Sequence, residues 1–410
     1  MNIAAAQSGG PTCAINASLA GIFSEAKMNK CIDKIYGSLN GIEGIIKDRL
    51  IDMNDALRSY DDMELLKKTP STILGSCRFK LPDYKDDSTV YEQITECFQK
   101  YDIGAFFYMG GNDSMDTVCK LSRYFKEKNI DIKVIGIPKT IDNDLKHTDH
   151  TPGFGSAAKY LAVTLQEITR DSAVYDVPSV TIVEIMGRDA GWLTASSCVL
   201  HANDETAPHL IYLPEADFSD DKITADIKKQ LETNMSVVVA VSEGITSDDG
   251  YAAEEFQSGI DDPFGHKYLA GIGKYLEKLV LEKIGCKVRS IELNVMQRCS
   301  SHMASKTDIE EAFRIGGEGV KAAVAGQTGV MMAFVRTSNE PYFCSVTAVD
   351  ASEVANQEKK LPHEWINDEG NNVRDEAIDY FLPLIQGELT PCMKNGLPIH
   401  MKLELDEEEE

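Results

Sequence analysis

The sequence predicts an α/β protein in which helices cover both faces of parallel β-sheets. Three observations carry that expectation. Short apolar runs, at residues 3–6, 105–109, 134–137, 180–185, 210–213, 237–241 and 330–335, end at glycines or polar clusters, as strands buried on both faces do. Longer amphipathic segments lie between them, at 154–170 and 264–284 for example, and such alternation is the mark of helices packed on parallel strands. The chain has 410 residues, of which 43% are hydrophobic and 26% charged, enough for two or three domains, or one large one, with a sizeable core.

Lysine and arginine number 41 against 66 acids, a formal charge of −25. That balance argues against a broad phosphate-binding surface for DNA or RNA, but not against a small anionic substrate held by a local cluster of arginines. No apolar stretch approaches the roughly 20 residues that span a bilayer. The first residues lack the pattern of a secretory signal. The ten cysteines are scattered without a C-x-x-C pair and are expected to be reduced thiols, as in a cytoplasmic protein. Segments 51–68 and 81–87 are charged and expected at the surface, and the tail DEEEE, 406–410, as a solvated end.

In parallel-sheet folds ligands sit beyond the carboxyl ends of the strands. The first run leads into Ser8-Gly9-Gly10-Pro11-Thr12, with helix-like residues from Ala14. Glycines let the backbone approach an anion, and a following helix N-terminus directs N–H groups at it. The second run leads into Gly110-Gly111-Asn112-Asp113-Ser114, where Asp113 or Ser114 could equally cap a helix. The third leads into Pro138-Lys139-Thr140-Ile141-Asp142-Asn143-Asp144. Here a carboxylate could take a proton from a hydroxyl and a lysine neutralise a transferring phosphoryl group, although a surface turn has a similar composition. No G-x-x-x-x-G-K-[ST] motif occurs.

Taken together, SGGPT at 8–12, LGSCRF at 74–79, GGNDS, PKTIDND, EIMGRDAGWL at 184–193, VSEGI at 241–245, VRSIELNVMQR at 288–298 and FRIGGEGVKAA at 313–323 resemble the 6-phosphofructokinase family, and specifically its pyrophosphate-dependent branch. The resemblance runs from about residue 3 to about 329. It implies two similar Rossmann-like parallel-sheet domains with the active site in the cleft between them, the phosphofructokinase fold. The implied boundaries are 1–155 plus about 297–347 for the phosphoryl-donor-binding domain, and about 156–296 plus 348–402 for the fructose 6-phosphate-binding domain, with 403–410 an acidic tail.

The resemblance also implies transfer of a phosphoryl group to the 1-hydroxyl of fructose 6-phosphate, chemistry that rests on positioning, charge neutralisation and a metal on the phosphates. It makes Asp142 the base, with Thr140, Ile141 and Asp144 around it. Gly10 and Gly111 would hold the donor phosphates, and Arg78 would lie between donor and acceptor. Met186, Gly187, Arg188, Glu243, Arg289, Val295 and Arg298 would bind the sugar phosphate, with one arginine supplied by a neighbouring subunit of a homo-oligomer, a dimer or tetramer. Asn112 and Asp144 would lie at Mg²⁺.

Two positions set the expected donor. By the same resemblance, members of the family that use ATP usually have glycines where Asp113 and Lys139 stand, and glycine leaves room for the nucleotide. A carboxylate there opposes an α-phosphate: two unit charges ~4 Å apart repel by about 4 kcal/mol at an effective dielectric of ~20. Lys139 would reach the vacated space and could pair with Asp113. Pyrophosphate is therefore the expected donor, and the reaction should be reversible. There are departures. Asn112 replaces an aspartate, Ser179 stands where many relatives have a phosphate-binding arginine, and Val295 stands where a histidine is common, leaving Lys267 as a substitute cation. The competing readings are an ATP-dependent 6-phosphofructokinase, a non-catalytic regulatory subunit and, disfavoured by the arginine-bearing MGR and MQR elements, a kinase of the wider superfamily acting on a nucleotide or lipid.

Overall fold

The apolar runs and amphipathic segments resolve into two separate sheets. This computed structural model describes residues 1–203, 205–247, 250–251 and 271–403. Lys267, the first part of segment 264–284 and the tail 406–410 lie outside the described residues. In chain order the principal strands are β1 (Asn2–Gln7), β2 (Ile35–Ser38), β3 (Leu50–Asp52), β4 (Ile103–Gly110), β5 (Lys133–Pro138), β6 (Ser179–Ile185), β7 (Leu210–Tyr212), β8 (Ser236–Ser242), β9 (Lys287–Glu292), β10 (Val330–Asn339) and β11 (Tyr342–Asp350). The larger sheet has the order β11-β10-β5-β4-β1-β2-β3, and the smaller β9-β6-β8-β7. All seven runs expected to be strands are strands.

The inner strands pair in parallel and are buried, which their unbroken apolar sequences require. The edges depart from that pattern. β3 pairs antiparallel with β2, and β11 antiparallel with β10. β10 is parallel to β5 only at Val330 and Met331; beyond Phe334 it leaves the core as half of a hairpin. Segment 51–68 is not wholly peripheral, because Ile51, Met53, Leu57 and Leu66 are buried, and Leu81 is buried in segment 81–87. Their charged neighbours mask this burial in the sequence.

Helices α1 (Ile15–Met28), α2 (Asn112–Glu127), α3 (Phe154–Ser172), α4 (Ile272–Lys283) and α5 (Lys306–Val324) cover the sheets. α1 and α5 cross at backbone contact. A Cβ at Gly21 would sit 1.8 Å from the Phe313 carbonyl oxygen, and one at Gly316 2.1 Å from that of Ser18. Gly21→Ala must therefore separate the two helices. A loss of about 1–3 kcal/mol or more, the usual scale of overpacking, is expected and would be read as a lowered urea midpoint.

Candidate active site

The carboxyl ends of β1, β4 and β5 face those of β6 and β8 across a cavity of about 570 Å³. On the side of the larger sheet, Gly9 has φ +73 and Ser76 Oγ donates to its carbonyl at 2.7 Å. A Cβ on Gly9 would lie 3.2 Å from Lys139 Nζ, and one on Gly10 3.1 Å from Arg298 Nη1. Glycine at both positions thus keeps two cations at the cavity wall. Thr12 Oγ1 accepts from the N–H groups of Ala14 and Ile15 and starts α1. α2 begins at Asn112, with Gly111 in the cap position, so neither Asp113 nor Ser114 caps it. Ser114 Oγ instead donates to Ser8 Oγ at 3.0 Å, joining the first two glycine turns.

The loop after β5 is tightly tied. Thr140 Oγ1 donates to Asp142 Oδ2 at 3.1 Å and accepts from the Asp142 N–H at 3.0 Å, which fixes the Asp142 side chain. Thr151 Oγ1 donates to the Thr140 carbonyl. Lys139 is 3% exposed, and its ammonium donates to the Gly10 carbonyl at 2.6 Å.

Across the cavity, Gly187 has φ +141, and Ser242 Oγ donates to its carbonyl. The Gly187 N–H donates to Glu243 Oε1 at 3.4 Å, and the Met186 N–H to Gln297 Oε1 at 3.2 Å. Gly244 lies flat beneath Arg188, where a Cβ would meet its carbonyl oxygen at 1.7 Å. These ties hold Arg188 and Glu243 in the wall, and Arg298 joins them from the end of the 3₁₀ turn Asn294–Arg298.

Charge is concentrated here. Burial pushes Asp144 up to about 7 and Glu243 up to about 8, and the Asp142 charge pushes both the same way. Burial lowers Lys139 to about 8 against the opposing pull of Asp142 and Asp144. Two buried atoms of the wall, Asn112 Oδ1 and Arg188 Nε, make no protein hydrogen bond. A buried polar atom without a partner is costly, and a polar group entering the cavity could supply one to each.

The cavity gathers Gly10, Arg78, Gly111, Asn112, Asp113, Lys139, Thr140, Asp142, Asp144, Met186, Arg188, Glu243 and Arg298, all singled out from sequence. Ile141 and Gly187 do not line the cavity: Ile141 is 6% exposed and packs into the core, and Gly187 lies behind Met186 and Arg188. Arg289 and Val295 are not in the wall. Arg289 lies on the edge strand β9, half exposed and paired with Asp171 at 3.1 Å, and Val295 is 48% exposed. Lys80, Asn356 and Glu358 do line the cavity, yet sequence reasoning misses them. Lys80, two residues after Arg78, could have been suspected. Asn356 and Glu358 arrive by tertiary contact alone.

The comparisons with known proteins decide what this cleft belongs to. The phosphofructokinase family profile matches residues 2–323. The chain belongs to the phosphofructokinase family. A relative from Halomonas elongata, pyrophosphate–fructose 6-phosphate 1-phosphotransferase, is 38% identical over 97% of this chain and 95% of that protein. The crystal structure of a pyrophosphate-dependent phosphofructokinase from Marinobacter aquaeolei superposes with a TM-score of 0.86 at 37% identity, covering 98% of this chain and 96% of that one. One from Nitrosospira multiformis gives 0.88 at 36% identity, covering 98% and 96%. The phosphofructokinase fold, with its cleft between two sheets, is therefore the fold of this chain. All ten cysteines of this family member are free thiols. Among the described residues no helix is long and apolar enough to cross a membrane.

Proposed function

We propose that the chain is a pyrophosphate-dependent 6-phosphofructokinase: it transfers a phosphoryl group from pyrophosphate to the 1-hydroxyl of fructose 6-phosphate, giving fructose 1,6-bisphosphate and phosphate. The observation that carries the donor is that Lys139 and Asp113 line the same cavity as Asp142. An ammonium and a carboxylate then fill the space that glycines would leave to a nucleotide. Purified chain with fructose 6-phosphate and Mg²⁺ is expected to turn over with pyrophosphate and not with ATP. The opposite result would assign the chain to the ATP-dependent group, and no turnover with either donor would make it a regulatory subunit.

In this reading Asp142, held by Thr140, accepts the proton of the sugar 1-hydroxyl as that oxygen attacks the near phosphorus of pyrophosphate. The bond to the bridging oxygen breaks and phosphate leaves. Lys139 and Arg78 oppose the charge on the transferring and leaving oxygens, a task that needs fixed cations in place before reaction. Arg188 and Arg298 hold the sugar phosphate, and Glu243 accepts from a sugar hydroxyl. Gly10, Gly111 and Met186 contribute backbone. Asn112 and Asp144 would hold Mg²⁺. Both present hard oxygen donors, and the unpartnered Asn112 Oδ1 fits a ligand or a metal-bound water. The ion, when bound, neutralises charge on the phosphates. The donor side would be residues 1–155 with about 297–347, and the acceptor side about 156–296 with 348–402.

Arg289 acquires a role if the chain, as a cytoplasmic protein, is a homo-oligomer. Exposed Val174, Tyr175 and Val177 lie near β9, with Lys287 Nζ 4.2 Å from the Tyr175 ring centre. A partner seated on this face would receive Arg289 at its own sugar-phosphate site. Mixed oligomers of Asp142→Ala and Arg289→Ala chains are therefore expected to regain activity that neither has alone, because one site in each mixed pair carries both defects and the other carries none. Absence of any recovery on subunit mixing would confine Arg289 to its own chain.

A further inference from the structure

The C-terminal segment beyond residue 340, which no motif marks, reaches the loop after β5 at Gln357, Glu358, Lys359 and Tyr380, and Lys359 carries most of that contact. Lys359 sends its ammonium to three acceptors: Asn143 Oδ1 at 3.2 Å, the Thr148 carbonyl at 3.2 Å and the Asp149 carbonyl at 2.8 Å. All three lie on the loop 143–149. Its backbone N–H donates to the Asp144 carbonyl at 2.7 Å. The fourth side of the ammonium faces the ring of Trp192, 4.7 Å from its centre, and the Trp192 indole N–H donates to the Lys359 carbonyl at 2.7 Å. Trp192 follows the Arg188 loop, so one residue ties together the segments that carry the two walls of the cleft.

Asn143, between Asp142 and Asp144, is the hub of this arrangement. It is fully buried and has φ +56, a left-handed conformation that asparagine tolerates better than most residues other than glycine. Its Oδ1 is held by Lys359, and its Nδ2 donates to Tyr380 Oη at 2.9 Å. Tyr380 Oη in turn donates to the Asp149 carbonyl at 2.6 Å. Both ends of the Asn143 amide, and both lone pairs of the Asp149 carbonyl, are thus satisfied by residues 359 and 380.

We propose that Lys359 is a positioning residue for phosphoryl transfer: through Asn143, and together with Tyr380, it sets the backbone turn that presents Asp142 and Asp144 to the cavity. This rests on the reading of Asp142 as the base. Lys359 does not touch substrate, so it should act on turnover and not on binding. A displacement near 1 Å at a reacting group costs about 10²-fold in rate.

The experiment measures kcat and both KM values of full-length Lys359→Met, Lys359→Arg, Tyr380→Phe and Asp142→Ala, with fructose 6-phosphate, pyrophosphate and Mg²⁺, below the thermal midpoint of each. Lys359→Met is expected to lose about 10²-fold in kcat with both KM values within about threefold of wild type. Lys359→Arg, which keeps charge and donors, is expected to recover most of that loss. Tyr380→Phe, a milder change that decides the matter if Lys359→Met does not fold, is expected to lose about tenfold in kcat at unchanged KM. Folded variants at both positions with wild-type kcat, or losses in which KM rises as much as kcat falls and arginine restores nothing, would overturn the proposal. If Asp142→Ala keeps wild-type turnover, the assignment of the base fails and this inference falls with it. If Asp142→Ala is inactive while Lys359→Met and Tyr380→Phe keep wild-type turnover, only this inference fails.

Discussion

Asp142→Ala is expected to lower kcat by about 10²–10⁴ while changing the KM for fructose 6-phosphate little, the usual worth of a positioned general base. The Thr140 hydroxyl donates to one oxygen of this carboxylate, and the other side of the residue opens on the cavity shared with Arg188 and Glu243. Asp142→Asn separates proton acceptance from shape. The amide keeps the size and can still meet Thr140, yet it cannot take a proton. A loss in Asp142→Asn as deep as in Asp142→Ala identifies the base, whereas near-normal turnover in Asp142→Asn would leave only a packing role. The assay is initial rate with both substrates saturating.

Lys139→Met is expected to lower kcat/KM for pyrophosphate by about 10–10²-fold, matching the roughly 1.5–3 kcal/mol of a hydrogen bond to a charged group. Its pH dependence gives a sharper test. Burial brings the Lys139 ammonium down to about 8, and only the charged form attracts a phosphate. As pH rises through about 8 the free enzyme loses that charge, so kcat/KM for pyrophosphate should fall on the alkaline side. Lys139→Arg carries a group that stays charged, and its alkaline limb should move out of the measured range. Comparing both proteins at each pH cancels the ionisation of pyrophosphate itself. Identical profiles would remove Lys139 from donor binding. The pair Lys139→Gly with Asp113→Gly should also weaken pyrophosphate use, while ATP use requires an adenosine pocket in addition.

The parts of the molecule legible in the sequence are those whose cause is local. Buried inner strands need continuous apolar runs, and the turns after β1, β4 and β5 need glycine or small polar residues, so both leave a mark in the chain. β9 leaves none, because KVRSIE is an edge strand with its charged residues exposed or half-buried and no apolar run to find. β2 and β3 are only four and three residues long. The buried side of segment 51–68 is hidden because only a few of its positions face inward, among many charges. At the site, the motifs identify the loops but not their supports. Asn356, Glu358 and Lys359 reach the cavity or its loop from more than 200 residues along the chain, and nothing in their own neighbourhood announces it. Arg289 stands out by its motif, but its place on an exposed edge cannot be read from spacing.

The order of strands in the larger sheet has a consequence for biosynthesis. β5 ends at Pro138, and the strand that covers its open edge, β10, begins at Val330, so roughly 190 residues separate the two neighbours. At translation rates of about 5–20 residues per second, the apolar edge of a half-built sheet emerges from the ribosome some 10–40 s before its partner exists. An unpaired strand edge of that kind is a template for association with other nascent chains. Holdase chaperones acting on the growing polypeptide should therefore raise the yield of this protein, and a chain truncated near residue 325 should aggregate where the complete chain does not.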